Sequence, residues 1–181
     1  MPRTDAAFGA AKAAGQGGPV PAFVQKFAGL AGQTADALTC GAWTTRTVSQ
    51  EDYDPSSIVS LSANVFTLGA GSYIIDATVE HNYQPPGAGA YFNYGQARVR
   101  NTTTSTTVLI GTGNMIATAS ASQRDVYFSR CFGLVTCTAS NAFEVQHYAN
   151  FQGCAGTFAG GNSGGSAIGE RFVKVNIMQI A

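Results

Sequence analysis

The sequence predicts an all-β protein, an antiparallel sandwich of the jelly-roll type, and three observations lead to that prediction. Short runs of alternating apolar residues recur between residues 58 and 180, and clusters of Gly, Pro, Asn and Ser separate them. No segment with a helical spacing of apolar residues lies between these runs, which argues against β-α-β units. Glycine supplies 22 of the 181 residues and charged residues supply 11%, against roughly 25% charged residues in ordinary soluble domains.

The alternation is clearest in the run 72–83, where Tyr73, Ile75 and Val79 fall on one face of a predicted strand. Equivalent patterns define the other strands. The predicted runs are 58–68, 72–83, 91–101, 106–112, 125–138, 141–150 and 171–180. Seven or more short strands with this punctuation are typical of sandwiches and jelly rolls.

Two local features refine the strand prediction. In the run 125–138 we expect Val126 and Phe128 to point into the core. Between the first two runs, the segment 68–71 reads Leu-Gly-Ala-Gly, which predicts a tight turn whose glycines supply positive φ angles.

The composition changes near residue 42. Ala and Gly fill 19 of the first 42 positions, whereas residues 43–181 hold all seven Tyr and the single Trp. We therefore predict an N-terminal arm over 1–42 and a jelly-roll domain over 43–181, because only the second part has enough large apolar side chains to build a core.

The arm is predicted to be partly helical. A first helix would follow Thr4 and end at Gly15. A second would begin near Pro21, because the four apolar residues that follow are spaced to lie on one helix face. Those residues are Phe23, Val24, Phe27 and Leu30. Such a helix either packs on its own domain or docks on a partner protein, and the sequence leaves both readings open.

Charge and cysteine usage exclude several classes of function. Ten basic and ten acidic residues cancel, so nothing favours binding to nucleic acid or an anionic membrane. No apolar run approaches the length of a membrane span, and the first residues lack the apolar core of a signal peptide. The four Cys and two His show no metal-ligand spacing, so we expect no metal, no cofactor and reduced, buried cysteines.

Enzyme motifs are weak. The segment 161–165 reads Gly-Asn-Ser-Gly-Gly and resembles the nucleophile loop of chymotrypsin-like serine proteases. However, His81 lacks the context of a catalytic histidine, and only 16 residues follow the motif. The acidic cluster of Glu51, Asp52 and Asp54 is better explained as one solvated turn than as a glycosidase pair. We therefore predict that the protein is not an enzyme.

The order of several short motifs resembles a known family. The motifs are TRTV at 45–48, YDP at 53–55, IVSLS at 58–62, FTLGAGSY at 66–73, ARVRNTT at 97–103, FEVQHY at 143–148 and GER at 169–171. Together they resemble the C1q/TNF-like jelly-roll domains of virion proteins from tailed phages and phage-derived particles. The resemblance spans residues 43–181, and FTLGAGSY is its most specific part.

The resemblance implies a symmetric homo-oligomer. A trimer about an axis parallel to the strands is favoured, and a pentamer competes if the protein sits on a capsid vertex. Apolar and aromatic faces would be buried at the axis. The candidate interface residues are Tyr91, Phe92, Tyr94 and Phe172, each of which could instead belong to the core of a single chain.

It also implies a function. We expect a non-enzymatic virion structural protein, assembled in the bacterial cytoplasm, that forms a head decoration or head spike and contributes to host-surface attachment. The arm, through Phe23, Val24, Phe27 and Leu30, would anchor it on the capsid or another virion protein.

The alternative is a carbohydrate-binding domain of a phage tail fibre or tail tip, with a site in the loops 84–90, 115–124 and 153–169. Arg98 and Arg100 share a strand face and are candidate contacts for an acidic host polysaccharide, or they pair across strands with Asp76 or Glu80.

Overall fold

The computed structural model describes residues 19–28, 37–83, 91–118, 125–151, 157–159 and 170–180, and in these segments the chain forms only strands and turns. The strands are β1 (Val20–Ala28), β2 (Ala37–Thr39), β3 (Trp43–Thr45), β4 (Gln50–Tyr53), β5 (Val59–Ser62), β6 (Val65–Leu68), β7 (Gly71–Tyr83), β8 (Tyr91–Asn101), β9 (Thr106–Ile110), β10 (Asn114–Thr118), β11 (Asp125–Cys137), β12 (Asn141–Phe151), β13 (Thr157–Ala159) and β14 (Glu170–Gln179).

Two main sheets make the sandwich. The five-stranded sheet has the order β11-β7-β14-β1-β4, and the seven-stranded sheet has the order β10-β8-β12-β6-β5, with β9 added to β8 and β3 added to β12. A third, two-stranded sheet joins β13 to β2. All pairings between these strands are antiparallel, which confirms the predicted all-β antiparallel jelly roll.

The core lies between the inward faces of the two sheets. Alternate residues of β7 and β14 are buried, as the period of a strand requires. Opposite them, Phe66 and Phe143 stack with ring centroids 5.6 Å apart. The core also includes Leu68, Tyr73, Ile75, Val79, Val99, Val145, Val173, Val175 and Ile177. Because this core uses the inward faces, the outward faces of both sheets are left for other contacts.

The predicted tight turn at 68–71 joins β6 to β7. Gly71 has a φ of +153°, a value that L side chains rarely adopt. Gly69 needs no such freedom, because among the described glycines only Gly41 and Gly71 have positive φ. The prediction of a turn is therefore confirmed, but only Gly71 has the positive φ angle that favours glycine.

The helix predicted after Pro21 is wrong for residues 20–28, which form β1. Its backbone lies between β14 and β4, so pairing on both sides outweighs the helical spacing of its apolar residues. β4 pairs only with Phe23, Val24 and Gln25. Pro21 lies outside this pairing, so its lack of an N–H group removes no hydrogen bond to β4.

The sandwich therefore includes strand residues before position 43. Phe23, Val24 and Phe27 belong to the backbone ladder of β1, whereas Leu30 and residues 1–18 lie outside the described residues. The division of the chain at residue 42 and the anchoring role of its first part stay predictions.

Candidate interaction surfaces

The outward face of the five-stranded sheet is apolar along β11. Phe128, Phe132 and Leu134 are 54%, 62% and 61% exposed, while Ser129 and Cys131 between them are buried. The expectation that Phe128 points inward is thus wrong, because Ser129 and Cys131 face the core and Phe128 faces outward. Both faces of this strand carry apolar residues, so alternation alone could not choose between them.

The apolar surface continues across the neighbouring strands. Leu134 lies opposite Ile74 on β7, and Ile74 lies opposite Met178 on β14. Met178 and Ile180 are exposed as well. We call this surface the apolar face; it comprises Ile74, Phe128, Phe132, Leu134, Met178 and Ile180.

One ion pair crosses the apolar face. Arg130 donates from Nε to Asp76 Oδ1 at 2.7 Å and from its NH2 group to Oδ2 at 2.9 Å. Its guanidinium also lies 5.4 Å from the ring centroid of Phe132. The hydrogen bond from Arg130 lowers the pKa of Asp76, and the opposite charge acts in the same direction. Asp76 therefore pairs with Arg130 and not with the predicted Arg98 or Arg100.

Two of the predicted interface residues, Tyr94 and Phe172, do not lie on one surface. Phe172 is fully buried within the single chain, so its assignment to an oligomer interface is wrong. Tyr94 is half-buried on β8 of the seven-stranded sheet, away from the apolar face. Tyr91 and Phe92 pair through their backbones with β10, and their side chains are not among those that the structure describes.

The outward face of the seven-stranded sheet is instead polar, and it holds Arg98 and Arg100. Arg98 Nε donates to Gln146 Oε1 at 2.7 Å, and its NH1 group donates to Thr107 Oγ1 at 3.2 Å. Arg100 forms an ion pair with Glu144 at 2.9 Å. Burial, followed by the neighbouring charge of Arg100, lowers the pKa of Arg98, while Glu144 opposes that change.

Glu144 is the common acceptor of this surface. Its Oε2 accepts from Thr45 Oγ1 at 2.6 Å, and its Oε1 accepts from Gln146 Nε2 at 2.8 Å as well as from Arg100. Both Glu144 and Gln146 are buried although they point away from the core. The network therefore fixes the positions of the two arginines.

Three aromatic residues lie in a row beside the arginines. Trp43 and Tyr148 have centroids 5.6 Å apart, and Tyr148 meets Tyr94 edge-on at 6.0 Å. The Arg98 guanidinium lies 4.2 Å from the Trp43 ring centroid, within cation–π range. We call the five residues Trp43, Tyr94, Arg98, Arg100 and Tyr148 the polar-aromatic face. The spacing of Arg98 and Arg100 indicated part of it, but Trp43 reaches it only through the pairing of β3 with β12.

The cysteines depart from the expectation of four reduced thiols. Cys40 is disulfide-bonded, while Cys131 and Cys137 are free and buried. Burial raises the pKa of the Cys131 thiol to about 12, so this thiol is protonated at neutral pH. Cys154 lies outside the described residues.

Within the described segments, no three His, Cys, Asp or Glu side chains are grouped so that they could hold a metal ion. No helix of these segments has the length and apolarity to cross a membrane. The protease-like motif at 161–165 and the loop 84–90 lie outside them, as does most of the loop 153–169.

The strand order and the comparison with solved structures together define the fold class, a C1q/TNF-like jelly roll. Two crystal structures of murine APRIL, at pH 8.0 and pH 8.5, are similar to this chain with TM-scores of 0.51 and 0.50. The sequence identities are 7% and 6%, and each alignment covers 90% of this chain and 99% of the APRIL chain. At this identity the likeness shows the fold alone. No protein-family model and no curated protein matches the sequence.

Proposed function

We propose that the protein is a non-enzymatic structural component of a phage-like particle, a head decoration or head spike that works as a homo-oligomer. The observation that carries the proposal is the apolar face, where three large side chains of β11 are more than half exposed in the single chain. Contiguous apolar surface of this kind usually marks a binding interface.

A second copy of the chain is the partner that fits the apolar face best. Every copy presents the same surface, so rotational symmetry brings apolar residues of one subunit against those of the next. The Asp76–Arg130 pair adds a polar contact whose charges already compensate each other. A trimer is favoured by the C1q/TNF-like resemblance, and a pentamer is the alternative at a capsid vertex.

The particle role rests on the resemblance of residues 43–181 to phage virion domains and on the sparse surface charge. A chain with 11% charged residues and no net charge suits a surface that ends in an assembly. In this proposal the N-terminal part of the chain anchors the oligomer on the capsid or another virion protein.

Particle composition tests this role. Phage-like particles would be purified on a density gradient from the bacterium that encodes the chain, and their proteins quantified by mass spectrometry against the major capsid protein. We expect the chain to co-purify at a fixed ratio to the capsid protein, and the copy number per particle derived from that ratio should be a multiple of the oligomer number. Its absence from intact particles, with abundant chain in the soluble fraction, would contradict the proposal.

Recognition of host carbohydrate is a second candidate function, as part of the spike or of a tail-fibre tip. The specific observation in its favour is the polar-aromatic face, where two arginines adjoin a row of aromatic rings. Aromatic faces with a few fixed polar groups are typical of small-molecule recognition sites.

A further inference from the structure

We infer that the polar-aromatic face is a binding site for an acidic saccharide, one whose sugar rings carry carboxylate groups. The inference rests on the host-attachment part of the proposed function and names its site and ligand class. The arginines would bind the carboxylate, and the apolar C–H faces of the sugar would pack against Tyr94 and Tyr148.

The charge of the site favours an anion. Arg98 and Arg100 are two positions apart on β8 and point to the same side, whereas Glu144 is the one carboxylate that the described contacts place beside them. The surface therefore keeps a local positive charge in a protein that is neutral overall. Guanidinium groups match carboxylates in shape and hydrogen-bonding pattern, so a uronate suits this site better than a neutral sugar.

The site is also preorganised. Gln146 and Thr107 hold Arg98 by hydrogen bonds, and the Trp43 ring supports the guanidinium from one side at 4.2 Å. A ligand consequently meets side chains that have already lost much of their rotational freedom, which reduces the entropic cost of binding.

The position of the site agrees with an oligomer. The polar-aromatic face lies on the outward side of the seven-stranded sheet, whereas the apolar face lies on the outward side of the five-stranded sheet. The two surfaces are on opposite sides of the core, so subunit contacts through the apolar face leave the saccharide site open. Each copy would contribute one site, which allows multivalent binding to a polymer.

The sequence provides its own probe for the experiment, because Trp43 is the only tryptophan. Full-length protein would be titrated with oligogalacturonate and, as the neutral counterpart, with a galactose oligosaccharide of equal length. Trp43 emission reports contact at the site, and calorimetry gives the affinity. We expect oligogalacturonate to change the emission and bind, and the neutral oligosaccharide to bind at least about tenfold more weakly, since it lacks the charged hydrogen bonds.

Three substitutions locate the binding. Arg98→Gln and Arg100→Gln should each weaken oligogalacturonate binding by about tenfold. Lys174→Gln removes the same charge from the other sheet and should change affinity by less than about twofold, as expected for a distant exposed charge. Circular dichroism would verify that each variant keeps its strands, and the two arginine variants provide independent tests if one fails to fold.

Several outcomes would overturn the inference. The first two are no binding of oligogalacturonate, and a neutral oligosaccharide that binds as tightly as oligogalacturonate. The other two are inorganic phosphate that competes for the site as well as oligogalacturonate does, and a loss of affinity in Lys174→Gln as large as in the arginine variants. Light scattering on the same samples separates this result from the proposed assembly. An intact oligomer without saccharide binding refutes the site alone, while a monomer that still binds refutes the assembly alone.

Discussion

Glu144 shows how a single side chain organises the outer surface of the seven-stranded sheet. It is buried, and it accepts hydrogen bonds from Thr45, Arg100 and Gln146. Removing the acceptor leaves three donors without it, and an unsatisfied buried donor costs more than the bond itself contributes.

We therefore predict that Glu144→Ala lowers the free energy of unfolding by about 1–3 kcal/mol, measured by urea denaturation. Glu144→Gln retains one acceptor oxygen and should cost less. Equal stability of the alanine variant and the native protein would show that the network does not hold the surface together.

Gly111 illustrates a different constraint, close packing between strands. A Cβ at this position would lie 2.6 Å from Ser129 Oγ and 3.0 Å from the carbonyl oxygen of Ala97. Gly69 offers a matched control, because a Cβ there would meet only the Tyr73 hydroxyl at 4.0 Å.

Gly111→Ala should destabilise the protein by about 1–3 kcal/mol, as overpacking against backbone usually does. Gly69→Ala should change stability by less than about 0.5 kcal/mol. Thermal and urea unfolding of both variants check this, and similar losses for the two would refute the packing argument.

At the scale of elements, β1 shows the limit of local sequence patterns. Its apolar residues have helical spacing, yet the segment completes a sheet between β14 and β4. Sequence periodicity could predict β7, β12 and β14 because apolar and polar residues alternate along most of each strand. It could not predict β1, whose conformation depends on partners more than 20 residues away in sequence.

The same limit applies to the two surfaces. The sequence alone places Arg98 and Arg100 on the same face of one strand. It does not predict the row of aromatic residues beside them, because that row forms only when β3 pairs with β12. On β11 both faces carry apolar residues, so the outward side chains could not be identified without the register to β7.

The position of β1 predicts the effect of shortening the chain. A chain that begins at Ala37 lacks β1 but keeps β2 and the disulfide-bonded Cys40. It leaves β14 and β4 without their shared partner, so we expect a lower urea midpoint and aggregation through the open edges. A chain that begins at Gly18 keeps β1 and should unfold at a midpoint close to that of the full-length protein. Equal midpoints for the two shortened chains would mean that β1 contributes nothing to the sandwich.

At the scale of the whole molecule, Asp76 links stability to pH. The pKa of Asp76 is lowered in the folded state, first by the Arg130 hydrogen bond, with Asn176 and Lys174 adding smaller effects. Its contribution is therefore present above the pKa of an unfolded aspartate, about 4, and disappears as pH falls through the lower folded value.

We predict that the urea midpoint of the native protein falls more steeply below about pH 4 than that of Asp76→Asn, which cannot titrate at this position. Midpoints measured at intervals between about pH 2.5 and 6 provide the comparison. Parallel pH profiles for the two proteins would contradict the assigned role of the Asp76–Arg130 pair.

Light scattering shows whether the apolar face joins copies of the chain, because it measures the mass of the protein in solution. The full-length protein should form a closed oligomer whose mass is a multiple of the 18.7 kDa chain, with three copies favoured. Leu134→Asp places a charge on the apolar face and should yield monomers. Ile110→Asp changes a residue of similar exposure, 57%, on the other sheet and should leave the oligomer intact. A monomeric native protein, or an oligomer that Leu134→Asp leaves unchanged, would mean that the apolar face is not a subunit interface.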